Sequence, residues 1–246
     1  MQRLPPAVEI VNPHGRSDCV LTCEHASNFI PAEYRRLGLS EPELARHIAW
    51  DIGAAMVARQ LSLLIDAPLF LAGYSRLLID CNRPVGSPTS IPVMSETTAI
   101  PGNMGLSAAQ AEARANAYYW PFQNAVSGHL DRRAADGRKA VVVGIHSFTP
   151  VFTGEARPWH AGILFRRAER FGRGLVAALA EPGLEVAANE PYSIDDDSDY
   201  TVPVHGERRG LDAVLVEIRQ DLIADAPGAD NWAGRLARAL IRLPAA

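Results

Sequence analysis

Cysteine is scarce in this chain. The 246 residues include three, Cys19, Cys23 and Cys81, an odd number with no Cys-x-x-Cys pair. Neither a disulfide framework nor a structural zinc cluster is implied. Long apolar runs are missing too, so nothing reads as a membrane span, and Met1-Gln2-Arg3-Leu4-Pro5-Pro6 has no apolar signal core. A reduced, cytoplasmic setting is the expectation. Positive charge is thin. The formal net charge is -4, and the pairs Arg166-Arg167 and Arg208-Arg209 are short and isolated. That argues against a nucleic-acid partner. His-Glu-x-x-His does not occur, which excludes the helix-borne protease site. Gly-x-Ser-x-Gly does not occur either, which disfavours a serine hydrolase. There is no internal repeat, low-complexity tract or clear linker.

What is present is a well-fed core, with 48% hydrophobic residues. Before Ser17 the chain reads as an irregular lead-in with Pro5, Pro6 and Pro13. Buried strands are expected at Asp18 to Cys23, Leu69 to Leu71, Leu77 to Ile79, Ala140 to Ile145, Ala161 to Phe165, Leu184 to Ala188 and Ala213 to Ile218. Asn28 to Leu39 is a loop or short helix. Ser40-Glu41-Pro42-Glu43 opens a helix running to about Ile65, with a break near Asp51-Ile52-Gly53. Ser107 caps a second helical stretch to Ala135, kinked at Pro121. Arg166 to Ala180 and Asn231 to Leu243 are further helices. Val85 to Gly105 and Pro191 to Gly210 are polar loops, the first long enough to rim a site. Strands alternating with helices predict one α/β domain over residues 1–246, with a largely parallel or mixed central sheet and helices on both faces.

The polar residues that interrupt this pattern fall at strand ends. Glu24-His25 follows the first strand, His146-Ser147 follows Ala140 to Ile145, and Glu217 sits inside Ala213 to Ile218. Open α/β sheets bind ligands at the carboxyl ends of their strands. The block Ser75-Arg76-Leu77-Leu78-Ile79-Asp80-Cys81-Asn82-Arg83-Pro84 adds two guanidiniums and a carboxamide, the makings of a carboxylate receptor. Its plainer reading is an Asp-Arg ion pair and an Asn turn before proline. Two histidines, acids and this receptor together describe a metal-dependent hydrolase of an acidic small molecule.

His25 and His146 are the expected metal ligands. A catalytic zinc usually takes three protein ligands. Asp51 is favoured as the third, with Glu24 the alternative, because neighbours on a strand point to opposite faces. Glu217 is expected to be the general base. A salt bridge to Arg219 is its structural alternative. Arg76 is assigned to the oxyanion, and Asn82 and Arg83 to the substrate carboxylate. His205 could line the site from a lid, though a loop-capping role is the simpler one. His160 is left over, and Asp195-Asp196-Asp197-Ser198-Asp199 reads as a solvated loop because it lacks the EF-hand spacing.

At these residues the chain resembles the N-formylglutamate amidohydrolase family. The matching pieces are Glu24-His25-Ala26-Ser27-Asn28, the Asp51 segment, Tyr74-Ser75-Arg76 through Asn82-Arg83-Pro84, His146-Ser147 and Val216-Glu217-Ile218. The Ser-Arg-x-x-x-Asp-x-Asn-Arg-Pro block is the most specific. The resemblance implies a phosphorylase/hydrolase-like α/β fold, distantly similar to zinc carboxypeptidases, and one bound zinc ion. It implies cleavage of N-formyl-L-glutamate to formate and L-glutamate, the last step of one histidine-degradation route. The chain departs from the family where Cys23-Glu24 precedes the first histidine in place of the usual proline. Asn28 stands where carboxypeptidases carry a glutamate, so the chemistry transfers more directly than the substrate. Two other readings stay open: a cysteine amidase built on Cys23, and a non-catalytic binder of acidic metabolites. Oligomeric state is not legible.

Overall fold

A computed structural model describes residues 4–243. Met1, Gln2 and Arg3 of the lead-in, and the last three residues of the expected 1–246 domain, lie outside the described residues. The strands are β1 (Val8–Val11), β2 (Cys19–Cys23), β3 (Leu69–Ala72), β4 (Met94–Ser95), β5 (Thr98–Ala99), β6 (Val141–Phe148), β7 (Val151–Phe152), β8 (Glu155–Ala156), β9 (Ala161–Leu164), β10 (Val186–Ala188) and β11 (Asp212–Arg219). The α-helices are α1 (Glu41–Leu44), α2 (Ala54–Ile65), α3 (Ala108–Arg114), α4 (Trp120–Ala135), α5 (Glu169–Leu179) and α6 (Ala226–Ile241).

Seven strands form one mixed sheet in the order β1-β3-β2-β6-β11-β9-β10. β3, β2, β6 and β11 run parallel, as do β9 and β10. The β1–β3 and β11–β9 pairs are antiparallel. β6 is buried at every position, as a central strand covered on both faces must be. Its alternate residues Val141, Val143 and Ile145 pack with α2, α5 and α6 through Leu61, Leu175 and Leu236. Val142 faces the other way, onto Phe122, Val126 and Leu130 of α4. β3 lies on one side of β2 and β6 on the other, so the chain steps from β2 out to β3 and then crosses back past β2 to reach β6. Such a switch point opens a crevice at the strands' carboxyl ends.

Both helix starts read from serine are capping boxes. Ser40 pairs reciprocally with Glu43, and Ser107 with Gln110. Ahead of Pro121 the helix widens into a π-helical turn, Ala115–Tyr119, where the proline's missing N–H and ring displace the normal ladder. Three expectations need correction. The helix from Ser40 does not run to Ile65 with a local break: α1 is one turn long, and turns occupy the chain up to Gly53. Leu77 to Ile79 is not a strand. Ser75 turns the chain, its carbonyl accepting from the Leu78 N–H at 2.9 Å and its Oγ from the Leu77 N–H at 3.2 Å. The three side chains are buried all the same, Leu77 and Leu78 in a satellite cluster with Leu37 and Ile100, and Ile79 against the α4 side. The lead-in, lastly, holds β1, an edge strand whose Glu9 meets Arg59 of α2.

Candidate active site

Three elements bring three ligand atoms together. His25 stands just past the end of β2. The Asp51 N–H donates to the His25 carbonyl at 2.9 Å, which pins the two segments to each other. Gly53, two residues on, lets the chain pass close to Ile223: its φ is +82°, and a Cβ there would sit 2.1 Å from the Ile223 carbonyl oxygen. His146 lies on β6, on the face that carries Val142 and then Gly144. The Ser147 N–H donates to Asp51 Oδ2 at 3.2 Å, and Ser147 Oγ to the Ile52 carbonyl at 2.8 Å.

His25 Nδ1 and His146 Nδ1 are 3.2 Å apart. Asp51 Oδ2 is 3.2 Å from the first and 2.9 Å from the second. Ligands on a tetrahedral ion with bonds of about 2.0–2.1 Å lie roughly 3.3 Å from one another. All three residues are buried. Behind them stand carboxylates that orient the rings, as around metal-ligating imidazoles generally. His25 Nε2 meets Asp80 Oδ1 at 2.7 Å. Glu24 Oε2 lies 3.0 Å from His146 Nε2 in an oblique contact, and Glu24 Oε1 accepts from Thr201 Oγ1 at 2.5 Å. Of the two candidate third ligands, Asp51 therefore faces the histidine pair, and Glu24 sits behind His146.

The electrostatics fit a divalent cation. Burial pushes the Asp51 carboxyl up, but His25 and His146 outweigh it and hold it well below the ordinary range. Asp80 is likewise raised by burial and held low by Arg76 and then His25. Burial acts upward on Glu24 as well, and His146 and Thr201 bring it to about 2. Burial disfavours the His146 imidazolium, yet Asp51 and Glu24 keep its proton on well above the usual histidine range. Three ionised carboxylates and the Arg76 guanidinium leave two negative charges around imidazoles that would be neutral as ligands. One divalent ion supplies that charge and displaces the proton.

Glu217 stands beside this group. It is His146's register partner across the β6–β11 ladder, on the same face. Its Oε2 is buried and has no hydrogen-bond partner among the described residues. Burial lifts its carboxyl to about 7, with His146 pulling down and Asp51 pushing up. The Arg219 alternative does not form, because Arg219 pairs with Asp221 at 2.9 Å. On the other side of Glu217 is Gly162 of β9, where a Cβ would overlap the Glu190 carbonyl oxygen. That bare backbone lets the segment leading to Tyr192 close in beside Glu217.

A cleft of about 440 Å³ opens over these groups. It is lined by His25, Asp51, His146, Glu217, Arg76, Asp80, Asn82 and Arg83, with Leu164 and Leu215 among its apolar residues and Tyr192, Phe152, His47 and Glu96 also contributing. Arg76 places Nε and NH2 on Asp80 Oδ2 at 3.0 and 2.7 Å, and its NH1 is 3.5 Å from Asp51 Oδ1. The Asn82 carboxamide ties down the 199–201 segment. Its Oδ1 accepts from the Tyr200 and Thr201 N–H groups, and its Nδ2 donates to Asp199. That leaves one amide hydrogen for a ligand. Arg83 donates through NH1 to the Asn82 carbonyl and lies 3.7 Å from Asp199 Oδ1, so Nε and NH2 remain available. His205 is placed elsewhere: it is buried, outside the cleft lining, with Nε2 at 2.7 Å from Gln123 Oε1. Cys23 is fully buried and burial raises its thiol well above the ordinary range, the reverse of what a nucleophile needs.

Sequence reasoning missed Asp80 as the partner of His25, having read it only as an arginine's counter-ion. A histidine expected to bind metal calls for a carboxylate behind it, and that signal was available. Tyr192, His47 and Glu96 carry no such signal, since the hairpin and loops that deliver them have no periodic pattern.

The fold and site together define a hydrolase-like α/β protein with the site at a strand switch point. The chain matches the N-formylglutamate amidohydrolase family over residues 17–224, and it belongs to that family. It is similar to the crystal structure of gene product Atu2144 from Agrobacterium tumefaciens, with 42% identity, a TM-score of 0.94, and coverage of 98% of this chain and 96% of that one. An N-formylglutamate amidohydrolase from Ralstonia eutropha JMP134 shares the fold at 18% identity and a TM-score of 0.69, covering 96% of each chain. A metallo-carboxypeptidase from Burkholderia cenocepacia reaches a TM-score of 0.38 at 12% identity, over 96% of this chain and 64% of that one. No curated protein matches the chain. Among the described residues no helix is long and apolar enough to cross a membrane.

Proposed function

We propose that this chain is a metal-dependent amidohydrolase that cleaves the amide of an N-acyl acidic amino acid, with N-formyl-L-glutamate as substrate and zinc as the ion. The observation that carries the reading is the convergence of His25, Asp51 and His146 beside the unpartnered Glu217 carboxylate. When bound, the ion supplies Lewis-acid polarisation of the scissile carbonyl and makes water a stronger acid. Glu217 takes a proton from the attacking water, holds it, and delivers it to the amide nitrogen as the C–N bond breaks. Its upward displacement to about 7 suits a group that must both accept and return a proton. Arg76, oriented by Asp80, turns NH1 toward the charge that develops on the carbonyl oxygen. Arg83 and the remaining Asn82 amide hydrogen hold a substrate carboxylate. The products are the free acid and the amino acid, formate and L-glutamate in the case named.

The family match supports the reaction class; a place in histidine breakdown, a cytoplasmic setting and one catalytic domain over residues 1–246 are part of the same proposal. The test is formate release from N-formyl-L-glutamate by zinc-loaded protein, before and after chelation. Turnover that chelation abolishes and zinc restores is the expected result. Turnover unaffected by chelation, or none from any N-acyl amino acid, overturns the reading.

A further inference from the structure

The receptor proposed for the substrate carboxylate already holds one. Asp199 is buried, and it lines the cleft with Asn82 and Arg83. Its Oδ1 accepts from Asn82 Nδ2 at 3.2 Å and lies 3.7 Å from Arg83 NH1. Its Oδ2 accepts from the Asp195 N–H at 3.2 Å and from Ser198 Oγ at 3.3 Å. One oxygen of this carboxylate therefore closes its own loop, and the other meets the two residues assigned to a ligand.

Those residues are aimed without Asp199. Asn82 Oδ1 accepts from the Tyr200 and Thr201 N–H groups at 3.2 and 3.0 Å, which fixes the orientation of the carboxamide. Arg83 is anchored through NH1 on the Asn82 carbonyl at 3.1 Å. What Asp199 adds is charge. Burial raises its carboxyl above the ordinary value, and Arg83 is the strongest influence pulling it back, ahead of the Asp195 N–H and the Ser198 hydroxyl. A ligand carboxylate on the remaining Asn82 and Arg83 donors shares one guanidinium with Asp199, and like charges so placed repel. The repulsion has a use. A carboxylate that stays on the amino acid while the amide breaks is bound alike in substrate and product. Tighter binding there lowers KM without raising kcat, and it delays release of the product.

We propose that Asp199 is a tuning residue: a resident carboxylate in the Arg83–Asn82 receptor that weakens its hold on the substrate carboxylate and on the same group of the amino-acid product. The proposal rests on the amidohydrolase reading. It requires tighter binding when the charge is removed, whereas a loop prop requires weaker binding.

The experiment measures the KM for N-formyl-L-glutamate and the competitive Ki of L-glutamate with zinc-loaded protein at mildly alkaline pH. Asp199→Asn and Asp199→Ala should each lower both constants by about three- to tenfold. Asp199→Glu keeps the charge and should show no such gain. Constants that rise or stay unchanged in the neutral variants overturn the proposal, and so does failure of both to fold, since each result marks a structural prop. A gain in Asp199→Glu equal to that in Asp199→Asn also overturns it, because shape and not charge would then be responsible. All of these outcomes leave the amidohydrolase reading standing while wild-type protein releases formate. If zinc-loaded wild-type protein hydrolyses no N-acyl amino acid, both proposals fall together.

Discussion

The two walls of the cleft are made differently. His25, Asp51, His146 and Glu217 sit on strands or on short turns pinned to them, and all four are buried. Each has its direction fixed by the sheet register or a backbone bond. Arg83, Tyr192 and Glu96 reach the cleft from turns and loops, and part of each is exposed. Strands at a switch point hold reacting groups rigidly, whereas loops on a rigid scaffold can change what is recognised. In the proposed mechanism one wall carries the reaction and the other the substrate. The first wall contains a second contrast. Asp80 and Glu217 are both buried carboxylates, but Asp80 accepts from His25, Arg76 and the Asn82 N–H and is held low, whereas Glu217 has a bare oxygen and is lifted to about 7. In the proposed mechanism the saturated carboxylate is the support and the unsaturated one the base.

Substitutions separate these roles. Glu217→Gln is isosteric and should lower kcat by about 10²- to 10⁴-fold with metal content unchanged, read from turnover and elemental analysis. It should also change a pH dependence in the metal-free protein. With its carboxyl lifted from 4.5 to about 7, folded Glu217 binds a proton that the unfolded chain has released, so its stabilisation is complete below pH 4.5 and is lost as pH rises through about 7. Denaturant titrations across that window should show this loss in wild type relative to Glu217→Gln. Next in size, Asp80→Asn should weaken metal affinity by about 10- to 100-fold, because the His25 ring loses its anionic partner; competition with a chelator measures it. On the loop wall, Arg83→Ala should raise KM by about tenfold and leave kcat nearly unchanged. An equal loss in kcat would erase the distinction between the walls. Far from both, Ser107→Ala removes a capping box and should cost about 1 kcal/mol in thermal or chemical unfolding with activity intact.

How far the sequence reads depends on periodicity. Uniformly apolar segments such as Val141-Val142-Val143 announced β6, and serine caps with early acid or amide residues announced both helix starts. The polar residues at strand ends, His25, His146 and Glu217, were legible for the same reason, because they interrupt a pattern. Leu77-Leu78-Ile79 misled because three apolar residues signal burial without specifying strand geometry. β1 was hidden among prolines, and its short edge pairing with β3 is a tertiary event that local sequence does not encode. His205 looked like a site residue only because histidine is a versatile side chain. Its partner Gln123 lies on α4, a contact fixed by packing over a long separation.

The central claim is that His25, Asp51 and His146 hold one divalent ion on which hydrolysis depends. Its most direct test is a stoichiometric titration of metal-free protein with zinc, following binding and turnover together. Both should saturate at one equivalent, and His146→Ala should abolish both. Full turnover before any metal is added, or undiminished tight binding in His146→Ala, contradicts it.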